Sequence, residues 1–390
     1  RRAGKGKLLS YPTRTDQTMR VISSVLAILS MAPSLSLARD VEAPSFQVDL
    51  DAPPEGRWEA ATTYMIESYG FEHSFQNVIN YVTSFIPQSV LTRLEPELLD
   101  LLKLFPGDAG EEIKGIHATI DTLGYGDRLS LGELAAVNLM YEFTVFCTSI
   151  VAENEDGEIF HGRNLDYSIQ GLQNLTAQVD FMKNGEVLYR GSEFVGYVGL
   201  LTGMRPGGWS VSVDQRAKYD FVDATKAKSA VGILENIVSA ATGGSTIGSL
   251  LRQTLEEEAK FEGAMKKLTH EKLIAPVYLT VAGADHLEGA IITRQRLRPD
   301  QSHKEGVWSL TDDDHFRLVT NYDHWDDVPE DDNRRDPANE CMGSYEQKDL
   351  SLDAISACLS TSPVLNKGTV YTTLMNPAKD EFTTTIRNQN

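Results

Sequence analysis

The hydrophobic pattern changes character partway along the chain. Between residues 57 and 142 apolar positions recur every three to four residues. Val78, Ile79, Val82, Phe85 and Ile86 make one stripe, and Leu98, Leu99, Leu102 and Phe105 make another; this is the period of an amphipathic helix. Pro87 and Pro106-Gly107 punctuate these stripes. Ser130-Leu131-Gly132-Glu133 is a capping-box pattern, in which hydroxyl and carboxylate each satisfy a free backbone N–H, and it predicts a helix over 134–141. From residue 143 onward strand patterns dominate. Strands are expected over 143–153, 158–164, 179–182, 187–190, 209–213, 277–281, 290–294, 317–321 and 369–374. Asp156-Gly157 and Asn184-Gly185 are hairpin-turn dipeptides. Helices are expected over 229–241, 245–268 and 350–359, with an acidic loop over 322–340. Strands, then helices, then strands point to an α+β chain of sheets layered with helices.

The first residues read differently. Met19 and Arg20 precede an apolar core over 21–31, and Ser36-Leu37-Ala38 offers the small residues a signal peptidase reads. A secretory signal over 19–38, preceded by an upstream segment, is therefore expected. The chain has 390 residues, enough for two or three domains or one large enzyme fold. No apolar run reaches the length of about 18 residues that a membrane span needs. Lys and Arg total 36 against 56 Asp and Glu, a net charge of −20. Loss of 1–38, with its six basic residues and one acidic residue, would deepen this to −25. Such a surface repels phosphates, which argues against a nucleic-acid partner. Its self-repulsion eases near the carboxylate pKa values of about 3.9–4.3, which suits an acidic compartment reached by secretion. The sequon Asn174-Leu175-Thr176 makes Asn174 a candidate glycosylation site on that route. Three cysteines, Cys147, Cys341 and Cys358, can form at most one disulfide.

Candidate chemistry narrows quickly. Gly196, Gly199 and Gly203 match neither phosphate-loop spacing, and no Gly-x-Ser-x-Gly elbow occurs. Asp312, Asp313, Asp314 and His315 form an acidic cluster without a metal-binding pattern, so neither a metal nor another cofactor is expected. Cys147 stands where helical texture gives way to strand texture, and the next strand carries His161-Gly162-Arg163-Asn164-Leu165-Asp166. A two-residue turn at Asp156-Gly157 would set Cys147 opposite Asp166, with Arg163 on the other face. A three-residue loop would reverse this and bring Arg163 to the Cys147 side. The odd spacing of Arg163 and Asp166 means that a regular strand aims only one of them at Cys147, so a bulge or strand end is needed for both.

The segments 147–152 (CTSIVA), Gly157 and 161–167 (HGRNLDY) resemble the N-terminal nucleophile hydrolases of the choloylglycine hydrolase kind, within them the group of acid amidases and acid ceramidases. Residues 46–58, 194–200 (FVGYVGL), 320–325 (TNYDHW) and 370–373 (VYTT) carry the resemblance along nearly the whole chain after the signal. It implies an αββα sandwich and self-cleavage at the Phe146–Cys147 bond. A helical α subunit (39–146) and a catalytic β subunit (147–390) would then remain together as a heterodimer.

The resemblance also implies roles. Cleavage would release a Cys147 α-amine of pKa about 7.7–8.0 beside a thiol of about 8.5, giving a nucleophile with its own base. Arg163 would favour the thiolate, Asp166 would orient the amine, and Asn321 would donate to the oxyanion. Arg334 lies near the family's second arginine, displaced by an extra Asn333, and is a further catalytic or oxyanion candidate. In Asp214-Gln215-Arg216, Gln215 stands where relatives carry Glu, a departure that removes a charge bearing on acid-side control; Asp214 itself receives no role. The activity implied is hydrolysis of N-acylethanolamines to fatty acid and ethanolamine in the lysosome, favoured by 164–167 (NLDY) and 182–185 (MKNG). The alternative is hydrolysis of ceramide to sphingosine, favoured by 363–367 (PVLNK). A reading from another class is a secreted lipid-binding protein without activity, against which the intact Cys147, Arg163, Asp166 and Asn321 stand. A lipid amide substrate would bring transient contact with a membrane surface through the apolar faces at 78–105.

Overall fold

The computed structural model describes residues 40–84, 102, 105, 107–140, 146–216, 245–300 and 306–388. The expected signal segment, Phe85 and Ile86 of the first apolar stripe, Leu98 and Leu99 of the second, and the helix over 229–241 lie outside these residues.

Two strands open the described chain, β1 (Val41–Glu42) and β2 (Ser45–Asp49), followed by the helices α1 (Glu59–Tyr69), α2 (Asn77–Ser84), α3 (Ala109–Thr122) and α4 (Leu131–Met140). The capping box opens α4 as its residues dictate: Ser130 N donates to Glu133 Oε2 at 2.9 Å and Glu133 N to Ser130 Oγ at 3.2 Å. Antiparallel hairpins come next, β3 (Phe146–Glu153) with β4 (Ile159–Asp166) and β5 (Thr176–Lys183) with β6 (Glu186–Phe194). The second turns through Asn184 and Gly185, both at positive φ (52° and 80°), as a two-residue hairpin loop of this composition requires. Then follow β7 (Thr202–Arg205), β8 (Trp209–Gln215), α5 (Ile247–Glu257), α6 (Phe261–His270), β9 (Val277–Gly283), β10 (Gly289–Arg294), β11 (Val307–Ser309) and β12 (Phe316–Val319). The chain ends with α7 (Arg335–Gly343), α8 (Leu352–Leu359), β13 (Thr369–Asn376) and β14 (Glu381–Ile386).

The strands form two sheets, ordered β1-β14-β13-β4-β3-β12 and β11-β10-β9-β8-β7-β6-β5-β2. Strand β3 shows how they stack. Ile150 and Ala152 point outward into a cluster with Ala338 and Met342 of α7 and Ile355 and Cys358 of α8. Val151, on the opposite face, meets Ala282 and Leu310 from the second sheet. Successive strand residues alternate faces, so Cys147, Ser149 and Val151 all look into the space between the sheets. Gly162 on β4 lets α8 approach, since a Cβ there would sit 2.3 Å from Ile355 Cγ2. With α5 and α6 against the second sheet, the layers run αββα.

Several elements differ from the sequence expectation. The helix over 245–268 is two helices, because Glu258 and Lys260 take extended backbone between α5 and α6. Residues 335–340 of the expected acidic loop are helical, within α7, and Cys341 pairs with Cys358 across a Cα–Cα distance of 5.4 Å, tying α7 to α8. Strands β1, β2, β7, β11 and β14 were not expected. Of these, β2 lies parallel to β5, and β1 pairs with β14, so residues before Cys147 complete an edge of each sheet.

Candidate active site

Cys147 is the second residue of β3 and is fully buried. Its strand pairs Cys147 with Leu165 and Ser149 with Arg163. This is the register of the longer loop, and it brings Arg163 to the Cys147 face. Asn154 sets it: its Oδ1 accepts from Asp156 N at 3.0 Å and Glu158 N at 2.9 Å, and Gly157 takes φ +77°. The Asn side chain thus stabilises a wider turn than Asp156-Gly157 would make alone.

Arg163 Nη2 donates to Cys147 Sγ at 2.9 Å and to Val213 O at 2.8 Å. Nη1 donates to Leu201 O at 2.9 Å, to Thr202 Oγ1, and to Tyr371 OH at 3.3 Å. A buried guanidinium spread over this many acceptors is fixed in place. Burial pushes the Cys147 thiol up to about 12, with Arg163 opposing the rise and the Asp214 carboxylate adding to it. The sulfur is therefore held as a thiol.

A second arginine reaches the other end of the same residue. Arg334, just before α7, donates from Nη1 to Cys147 O at 2.6 Å and to Asp166 Oδ2 at 3.3 Å, and from Nη2 to Asn321 Oδ1 at 2.7 Å. Asp332 grips it on Nε and Nη2 at 2.6 and 2.8 Å. Asn321 Oδ1 also accepts from Cys147 N at 2.8 Å, while Nδ2 donates to Gln215 O at 2.9 Å. Two donors converge on one side of this amide and a carbonyl faces the other, so its orientation is fixed by hydrogen-bonding capacity. Asn321 thus presents an acceptor to the Cys147 nitrogen, and the donor facing the Cys147 backbone is Arg334.

Asp166 is the last residue of β4 and faces away from the inter-sheet space. It accepts from Asn366 Nδ2 at 3.0 Å and from Arg334, and burial raises its carboxyl above the usual range against these partners. No bulge interrupts β3 against β4; the irregularity falls on β13, between Thr369 and Tyr371. Asp166 therefore reaches the site through Arg334.

Spacing in the sequence gives no hint of Asp214, which comes from β8 of the other sheet. It is buried beside Arg163, with Oδ1 3.9 Å from Arg163 Nε, and Ser149 Oγ donates to that oxygen at 2.9 Å. Burial raises its carboxyl to about 7, held back by Arg163, Ser149 and the Cys147 thiol. The only signal for Ser149 is its place two residues after Cys147, on the same strand face.

The sequon residue Asn174 is half-buried, and its Nδ2 donates to His73 O at 2.8 Å. Among the described residues, no group of three or more His, Cys, Asp or Glu could hold a metal ion, and no helix is long and apolar enough to cross a membrane.

Comparison with known proteins matches residues 147–348 to the family described as linear amide C–N hydrolases, choloylglycine hydrolase family. The chain is 38% identical over 373 residues to the N-acylethanolamine-hydrolyzing acid amidase of Rattus norvegicus, covering 94% of this chain and 95% of the relative. It is 34% identical over 364 residues to the acid ceramidase of Homo sapiens, covering 88% and 86%. The solved Caenorhabditis elegans ortholog of the N-acylethanolamine-hydrolyzing acid amidase superposes with a TM-score of 0.54 at 33% identity, covering 62% of this chain and 100% of that one.

Proposed function

Because the chain belongs to the choloylglycine hydrolase family of linear amide C–N hydrolases, we propose that it hydrolyses N-acylethanolamines after cutting itself between Phe146 and Cys147. The observation that carries this reading is a buried sulfur held 2.9 Å from a buried arginine, on a residue whose nitrogen and carbonyl are also gripped, at 2.8 and 2.6 Å.

Cutting turns the Cys147 nitrogen from an amide, which has no basicity to offer, into an amine. The amine takes the thiol proton, and Asn321 Oδ1 orients it. The thiolate, favoured by Arg163, attacks the substrate carbonyl. The Cys147 ammonium returns its proton to the departing ethanolamine nitrogen. A thioester to the acyl chain remains, and water hydrolyses it to the fatty acid. Arg334, which donates to the Cys147 carbonyl at 2.6 Å, is a fixed cation available to charge developing on the carbonyl oxygen.

Phe75, Val78, Ile79, Leu134, Val137 and Phe194 line a small apolar pocket of about 10 Å³, room for a single water, so an acyl chain would enter there only if these side chains moved apart. Phe194 packs on Tyr371 at 5.7 Å between ring centres, and Tyr371 touches Arg163, so the pocket wall leads back to the sulfur. Similarity to the rat acid amidase supports the ethanolamide over ceramide, on identities of 38% against 34% for the human ceramidase.

Residues 39–146 and 147–390 would remain paired as α and β subunits, since β1, β2 and the Glu112–Arg252 ion pair cross the division. The lysosome is the proposed setting, with transient contact with a membrane surface for access to lipid, and Asn174 the proposed glycan site. Release of labelled fatty acid from an acyl ethanolamide and from ceramide, at pH 4.5–5, tests the substrate. Faster release from the ethanolamide supports the reading, and release from ceramide alone would replace it.

A further inference from the structure

The uncut chain poses a chemical problem that the mature site does not. Before the first cut there is no α-amine to take the thiol proton, yet the sulfur must lose that proton to attack the Phe146 carbonyl. A base is needed from elsewhere, and the surroundings of Cys147 offer few. Arg163 and Arg334 are cations, and the Asn321 amide accepts only weakly. Asp166 lies on the opposite face of its strand, occupied by Asn366 and Arg334. His161 is held neutral, its pKa lowered to about 3 by burial and by Arg163, but it sits against Ser210 and Ser212.

Asp214 is differently placed. Its Oδ1 accepts from Ser149 Oγ at 2.9 Å. Its Oδ2 is buried without a hydrogen-bond partner, and its Oδ1 lies 3.9 Å from Nε of the same guanidinium whose Nη2 faces the Cys147 sulfur at 2.9 Å. Behind Ser149 runs a buried polar chain. Ser149 Oγ lies 2.9 Å from Ser212 Oγ, Ser212 Oγ 2.9 Å from His161 Nε2, and His161 Nδ1 2.9 Å from Ser210 Oγ.

Each hydroxyl has a single proton to give, so one assignment fixes the rest. Ser149 gives its proton to Asp214 and must accept from Ser212. Ser212 must then accept from His161, which carries its proton on Nε2 and accepts from Ser210 at Nδ1. All four dipoles point toward Asp214, and aligned hydrogen bonds strengthen one another. The chain holds Asp214 as an acceptor between Ser149, two residues along the strand from Cys147 on the same face, and the Arg163 guanidinium that meets the sulfur. The charged and titratable groups around the carboxyl are Cys147 from β3, Arg163 from β4 and Arg334 from the segment before α7.

We propose that Asp214 is the base that takes the Cys147 thiol proton in self-cleavage of the uncut chain. This rests on the self-cleavage reading above. The proton passes from sulfur to the Asp214 carboxylate, and the sulfur bonds to the Phe146 carbonyl carbon. As the Phe146–Cys147 C–N bond breaks, the proton passes from Asp214 to the departing Cys147 nitrogen, leaving a thioester and a free amine. Water then adds to the thioester carbon, the sulfur leaves with one proton of that water, and the resulting Phe146 carboxylic acid gives its proton to the free Cys147 amine, leaving a carboxylate, an ammonium and the Cys147 thiol. Arg163 stays charged throughout. Once the amine exists it takes over as base, so Asp214 is required for the cut more than for turnover.

The test follows the first-order appearance of cut chains from purified uncut protein, with wild type and Cys147→Ala alongside. Failure of wild type to cut would overturn the self-cleavage reading itself. If wild type cuts and Cys147→Ala does not, Asp214→Asn is expected to slow the cut at least about 100-fold, the lower range for a general base. Those Asp214→Asn chains that do cut are expected to turn over within about tenfold of wild type. An Asp214→Asn chain with wild-type thermal stability that cuts at the wild-type rate overturns the proposal, as does one whose turnover after cutting falls as far as the cut itself. Ser149→Ala is the second variant, for the case that Asp214→Asn does not fold. Without the donor that favours the carboxylate over the acid, against the burial that raises this carboxyl to about 7, its cut at pH 5 is expected to be about two- to fivefold slower, and an unchanged rate overturns the proposal.

Discussion

The Arg163 guanidinium and the Cys147 sulfur face each other at 2.9 Å across paired strands, both fully buried, with the arginine held by Val213 O and Leu201 O on the neighbouring sheet. The proposed nucleophile and the cation proposed to favour its ionised form are therefore fixed by the stacking of the two sheets.

That fork makes a specific prediction. Arg163→Lys keeps the charge but has one nitrogen where the guanidinium uses two, so it cannot hold Val213 O and Leu201 O while facing the sulfur. Self-cleavage and turnover are both expected to fall about 10²–10³-fold, the loss typical of one fixed electrostatic contact. Gel densitometry of the cut fraction and release of labelled fatty acid measure the two rates.

Glu112 clamps residues on either side of the proposed cut. It accepts from Arg57 at 2.8 Å and Trp58 at 2.8 Å on its own side, and from Arg252 at 2.6 and 2.7 Å across it. Burial alone would raise its carboxyl, but Arg252, Trp58 and Arg57 outweigh this and bring it down to about 2. A carboxyl lowered on folding stabilises the fold above its ordinary value of 4.5 and loses that contribution only as pH falls through 2. The clamp thus persists at pH 4.5. Glu112→Gln strands a buried arginine and is expected to cost about 3–5 kcal/mol. A lower melting temperature, and separation of cut fragments on gel filtration at pH 4.5, would register the loss.

Two other groups tilt the fold toward acid. Glu193 is buried with Oε1 lacking a partner, and burial raises its carboxyl well above 4.5. The unfolded chain releases that proton at lower pH than the fold does, so stability falls as pH rises above 4.5. His286 is raised by its hydrogen bond to Glu153 at 2.5 Å. Its contribution is complete below 6.5 and is lost as pH rises through its folded value. Melting temperatures at pH 5 and pH 8 check both. Glu193→Gln is expected to raise the pH 8 value more than the pH 5 value, and His286→Gln to lower the pH 5 value more than the pH 8 value.

The Cys341–Cys358 bond ties α7, whose start carries Arg334, to α8, which packs on β4. Closing a loop with a sequence separation of 17 stabilises by about 3 kcal/mol in the chain-entropy picture. A Cys341→Ser, Cys358→Ser double variant is expected to melt several degrees lower. It is also expected to cut and turn over more slowly, because Arg334 loses a restraint. Scanning calorimetry and the two rate assays test this.

Much of this was legible in the sequence because it is local. The capping box, the Asn184-Gly185 turn and the β3–β4 hairpin each declare themselves within a few residues. The pairing of β2 with β5 joins positions more than a hundred residues apart, and such a contact leaves no mark in the short-range pattern. β1 has only two residues, too few to show any period. The spacing of Arg163 and Asp166 correctly demanded that only one of them share the Cys147 face of a regular strand, but the choice waited on Asn154, whose side chain sets the turn. Asp214 was hidden for a different reason: it meets Cys147 from the other sheet, and contacts between stacked sheets carry no sequence spacing at all.

The central claim is that Cys147 becomes a chain terminus, and the most direct measurement is the intact mass and N-terminal sequence of the mature protein. The account predicts a fragment beginning Cys-Thr-Ser-Ile, and a Cys147→Ala chain that is uncut and inactive. A mature protein with the Phe146–Cys147 bond intact that still hydrolyses lipid amides would contradict it.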